Sequence, residues 1–83
     1  MKVTVHRINT KKRSVPIRTE YIKLESFLKL ANAVESGGMA KNYIHDGAVT
    51  VNGEICLMRG KKLRSGDCVG FDGVAYLVTD ADQ

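Results

Sequence analysis

Apolar residues set the periods of this chain, and the first clear period is helical. Leu24, Phe27, Leu28, Ala31 and Val34 fall at i, i+3, i+4, i+7 and i+10, one buried stripe of a helix predicted over residues 24–35. Ser36 follows with the chemistry of an N-cap, because its hydroxyl can accept a free first-turn amide. Met39, Ala40, Tyr43 and Ile44 then recur on one face of a second helix, while Gly38, Lys41, Asn42 and His45 fall on the other. Gly47 ends it as a left-handed C-cap.

Alternation replaces helical spacing in the rest of the chain. Val49 and Val51 flank Thr50 in a strand predicted over 48–51, and Asn52-Gly53 is a two-residue hairpin signal that needs positive φ at both positions. The chain returns through Glu54 to Leu57. Ser65-Gly66-Asp67 marks another turn and 68–71 another strand, and Asp72-Gly73 makes a second tight hairpin into 74–78. Upstream, Lys2 to Ile8 alternates as a short strand, Asn9 to Ser14 reads as a polar basic loop, and Val15 to Ile22 as an extended piece able to pair with the first in a hairpin. Pro16 confines that piece to an edge or a strand start, since it donates no ladder hydrogen bond.

Two adjacent helices packed on a small, mostly antiparallel β-sheet make an α+β domain. Residues 1–23 form an N-terminal extended or hairpin extension with its basic loop, 24–78 the domain proper, and 79–83 a short acidic tail with Asp80 and Asp82, all within one globular unit. Composition agrees: 43% apolar and 27% charged residues exclude a disordered chain.

Charge gives the first indication of a partner. Thirteen Lys and Arg against nine Asp and Glu leave a net +4, which favours an acidic one. The basic residues cluster. Seven lie in residues 1–23 beside a single acid, Glu20, and Arg59, Lys61, Lys62 and Arg64 form a second run without any acid. Gly37 and Gly38 leave the start of the second helix without side-chain cover. Bare amides at the positive end of a helix dipole suit a phosphate, and glycine there equally suits close packing against another element.

Other chemistries find little support in the sequence. There is no HExxH, phosphate-loop or serine-elbow motif, and His45-Asp46 are neighbours whose side chains diverge by about 100° on a helix, so no enzyme is expected. Cys56 and Cys68 form no metal-ligand cluster; reduced, half-buried thiols are the favoured account and a disulfide between neighbouring strands the other. No cofactor, metal or small-molecule substrate is implied. No apolar run approaches the roughly 18 residues of a membrane span, and Met1 to Ile8 lacks the core of a signal peptide, so a cytoplasmic protein without membrane contact is expected.

The run from Leu24 to Phe71 resembles the S-four-type RNA-binding domain, or alpha-L motif, and in particular its small stand-alone bacterial members. FLKLANAVESGGMAK, the Gly47-Ala48-Val49 entry into VNGE, and RGKKLRSGD carry the likeness. The helix-two signature falls on Ser36, Ala40, Lys41, Ile44 and Gly47, and the hairpin signature on Val51, Asn52 and Gly53. The resemblance implies binding of structured RNA, ribosomal or transfer RNA and in that case the ribosome or its precursors, through the first turns of both helices and the basic loop. Many relatives have arginine where this chain has Gly37; stand-alone relatives tend to have threonine at the Lys23 position and a basic residue at the Met58 position.

The expected RNA contacts are therefore Lys23, Lys29, Gly37, Gly38, Lys41, Asn42, Arg59, Lys61, Lys62 and Arg64, with Lys11, Lys12, Arg13 and His45 as secondary ones. Lysine supplies a mobile charge, and arginine a planar fork for phosphate or a base edge. Gly53 and Gly66 are read as turn residues, Asn52 and Asp67 as turn or loop-capping residues, Leu63 as a core contact between charges, and Tyr43 as packing. The alternative function is a protein adaptor that adds a partner strand to an exposed edge at Val74 to Val78.

Overall fold

The computed structural model describes residues 11–81. Its elements run β1 (Lys11–Ile17), β2 (Ile22–Lys23), α1 (Leu24–Leu30), α2 (Gly37–His45), β3 (Val49–Val51), β4 (Glu54–Ile55), β5 (Lys62–Leu63), β6 (Cys68–Phe71) and β7 (Val74–Asp80). Five strands form one sheet in the order β1-β7-β6-β3-β4, and β2 pairs with β5 in a separate ribbon. All pairings are antiparallel except β1 with β7. The fold is α+β, as the pattern predicts.

Both helices end in the same way. In α1 the cap residue is Ala31, Asn32 takes φ 59°, and the amides of Asn32 and Ala33 donate to the carbonyls of Lys29 and Leu28. In α2 Gly47 takes φ 77°, and the amides of Gly47 and Ala48 donate to Ile44 and Tyr43. This is the Schellman arrangement, which needs a left-handed residue after the cap. Asparagine tolerates that conformation, and so α1 stops at Leu30 rather than at Glu35. Val34 still reaches the core because the turn carries it back.

The core joins Leu24, Phe27 and Leu28 of α1 and Ala40 and Ile44 of α2 to Val15, Val49, Val51, Val69, Tyr76 and Val78 of the large sheet and Leu63 of the ribbon. Phe27 meets Tyr76 edge to face, ring centroids 6.5 Å apart. Leu63, set between Lys62 and Arg64, is fully buried. Each fully buried Leu, Ile or Phe contributes on the order of 1.5–3 kcal/mol. The core thereby anchors the basic segment from inside.

Three expectations change. Lys11, Lys12 and Arg13 lie in strand β1 and not in a loop, because the segment finds a parallel partner in β7, with Lys11 opposite Val74 and Ile17 opposite Asp80. The partner is thus the last strand; the strand expected over Lys2 to Ile8 lies outside the described residues. Val74 to Val78 is no edge, since β7 is paired on both sides. The return strand after Asn52-Gly53 is short, Glu54–Ile55, and leaves the sheet before Leu57. Pro16 does lie in a strand with one described neighbour, where its missing amide costs no ladder bond.

Candidate nucleic-acid interface

The basic segment 59–64 is fastened to the start of α1 through its backbone. Leu24 N donates to Lys61 O at 2.8 Å and Glu25 N to Arg59 O at 3.1 Å. Those carbonyls do the capping that Lys23, without a side-chain cap bond, does not do. Two first-turn amides of α1 are therefore occupied. The first turn of α1 is thus less open to an anion than the resemblance implies.

The start of α2 is different. Ser36 Oγ accepts from Met39 N at 3.2 Å, as expected of an N-cap. The amides of Gly37 and Gly38 have no partner among the described residues, and both glycines are exposed. A side chain at Gly37 would meet nothing within 4 Å, and one at Gly38 only Ser36 Oγ at 3.8 Å. Close packing does not explain this pair. Lys41, Asn42 and His45 are exposed on the same helix, whereas Ala40 and Ile44 are buried. Met39 and Tyr43 are only partly covered, Tyr43 leaning on Phe71 with ring centroids 5.0 Å apart.

The ribbon gathers charge most closely. Lys23 and Lys62 are direct cross-strand partners, so both side chains leave the same face of β2–β5. Like charges placed opposite each other destabilise a strand pair. Neither lysine nor Arg64 has a carboxylate partner among the described residues. Lys62 Nζ instead lies 4.8 Å, and the Arg64 guanidinium carbon 5.8 Å, from the centre of the Tyr21 ring. Arg59 differs, since its guanidinium stands 3.9 Å from Glu25 Oε1 in a partly exposed pair.

Arg64 is also held from behind. Asp67 Oδ2 accepts from Arg64 N at 2.8 Å, Asp67 Oδ1 from Asn52 Nδ2 at 3.2 Å, and Asn52 Oδ1 from Cys68 N at 3.0 Å. Asn52 and Gly53 take φ 53° and 90°, as the hairpin demands. The loop-capping role read for Asn52 and Asp67 thus extends across two turns, locking the β3–β4 hairpin to the end of the basic segment.

The remaining predicted residues are spread out. Lys29 lies in the last turn of α1 beside a groove of about 500 Å³ that Ile22, Ser26 and Leu30 also line. Lys11, Lys12 and Arg13 are exposed on β1, outside the ribbon. Sequence reasoning passed over two features. Tyr21 gave no periodic signal and precedes the first helix, so only its place between basic runs marked it. Ile55, Leu57 and Met58 are each more than half exposed and line a groove of about 310 Å³ ending at Lys61. Cys56 and Cys68 are unpaired and half-buried.

Among the described residues no helix is long and apolar enough to cross a membrane, and no group of three or more His, Cys, Asp or Glu is arranged to hold a metal ion. Comparison with known proteins bears directly on the geometry. The S4 domain family model matches residues 15–79. A probable ribosome maturation protein, RlbA, of Bacillus subtilis (strain 168) is 48% identical over 59 residues, covering 71% of this chain and 83% of the relative. The matched segment contains the ribbon, both helices and the hairpin, and the chain belongs to the S4 domain family, the RNA-binding family that its residues resemble.

Proposed function

We propose that this chain is a non-catalytic RNA-binding protein of the bacterial cytoplasm that recognises folded ribosomal RNA, on the ribosome or its precursors, by shape and backbone charge. The observation that carries this reading is the cluster of Lys23 and Lys62 on the β2–β5 ribbon with Arg64 directly after it, none of them paired with a carboxylate among the described residues. Lys61, the open amides of Gly37 and Gly38, and Lys41, Asn42 and Lys29 are exposed and are the further contacts of this reading. Arg59 contributes less, because Glu25 shares its charge. Lys11, Lys12, Arg13 and His45 are secondary contacts.

Paired RNA hides its major-groove edges and offers phosphates and 2′-hydroxyls, which suits fixed cations better than a row of exposed aromatics. The description of the Bacillus relative as a ribosome maturation protein favours ribosomal over transfer RNA. Crosslinking in cells followed by sequencing of the attached RNA tests the reading. Enrichment of defined ribosomal RNA segments, reduced in a Lys61→Ala, Lys62→Ala variant, is expected. Recovery of RNA in proportion to cellular abundance, identical for the variant, contradicts it.

A further inference from the structure

Three cations with no carboxylate partner are crowded at the ribbon, and something must hold them there. A carboxylate would do so, but it would cancel part of the field and repel a phosphate. An aromatic ring does the same by its quadrupole, gathering cations while the net charge stays intact. Tyr21 stands at that place. Lys62 and Arg64 both lie within the roughly 6 Å reach of its ring, and Lys23 is the cross-strand partner of Lys62.

We propose that Tyr21 is a positioning residue for a phosphate subsite formed by Lys23, Lys62 and Arg64. This rests on the RNA-binding reading above and adds the element that gives the site its shape. Tyr21 is 37% exposed, so its ring is a surface device and not a core residue. Its backbone is fixed by Thr19 Oγ1, which donates to Tyr21 O at 2.7 Å, and by entry into β2 one residue later. Asp67 holds the Arg64 backbone, and burial of Leu63 fixes the segment between the two cations. Only the long side chains remain free, and the ring limits them. Less rotamer freedom is then lost when a phosphate arrives, which raises affinity by pre-organisation.

The test uses the full chain and a blunt, fully paired RNA duplex, which presents phosphates but no unstacked base. Tyr21→Phe keeps the ring and is expected to bind like the parent. Tyr21→Leu keeps bulk without the quadrupole and is expected to bind about three- to tenfold more weakly at low salt, with a shallower salt slope, while the melting temperature falls by no more than about 4–8 °C and the chain stays folded. Tyr21→Leu binding as well as the parent, while Lys61→Ala, Lys62→Ala still weakens binding, overturns the inference and leaves the RNA reading standing. A loss seen only with RNA carrying unpaired nucleotides overturns it in favour of base stacking, and equal losses in Phe and Leu overturn it in favour of a direct contact by the hydroxyl. A parent chain that does not bind RNA defeats both readings at once.

Discussion

Lys62 shows what a single residue is asked to do here. It faces Lys23 across the ribbon, an arrangement that costs stability, and it leans on Tyr21, which offsets that cost. Removing Lys61 and Lys62 together therefore changes stability by no more than about 0.5 kcal/mol, as exposed substitutions do, measured by denaturant unfolding. RNA affinity falls for all sequences alike, and the slope of log K against log salt decreases by about 2. Gly38 gives the opposite combination of signs. Gly38→Glu has room for its side chain, improves helix propensity and places an acid at a helix start. Its melting temperature is expected to hold or rise while RNA binding drops by about tenfold, since a like charge then faces the phosphate. Loss of folding in that variant would mean that the bare turn is structural.

At the scale of elements, the devices that hold the basic segment are turns and caps. Asn52 needs a left-handed backbone and bridges Asp67 to Cys68, so Asn52→Ala is expected to cost about 1–3 kcal/mol in chemical denaturation, as the loss of a turn residue and its hydrogen bonds does. A value near zero would show that the two turns are independent. These turns were legible in the sequence because Asn-Gly and Asp-Gly state their conformation locally. The end of α1 was less so. Ala31 and Val34 continue the helical spacing, and only Asn32, at φ 59°, reveals that the chain turns there and brings Val34 to the core by another route. Long-range pairing was not legible at all. Nothing in KKRSVPI says that it joins β7, the strand farthest away in sequence, and a Lys-rich, proline-bearing strand looks like a loop until a partner is found.

For the whole molecule, the same gap between local and distant information divides the site. Arg59 to Arg64 was visible as a charge run, but its attachment to α1 through Lys61 O and Arg59 O, and its convergence with Lys23 and Tyr21, depend on the fold. Lys11, Lys12 and Arg13, read from the sequence as secondary contacts, lie on a different sheet, on a strand with no second neighbour among the described residues. Charge and proline on such a strand also discourage pairing with another chain. RNA binding on the reading proposed above requires that fixed cations on the ribbon and α2 match the phosphates of a folded RNA. Salt titration of binding to a ribosomal RNA hairpin measures that claim most directly. With about six phosphates neutralised, affinity is predicted to fall roughly a thousand-fold between about 50 and about 200 mM salt; an affinity that stays constant over that range contradicts it.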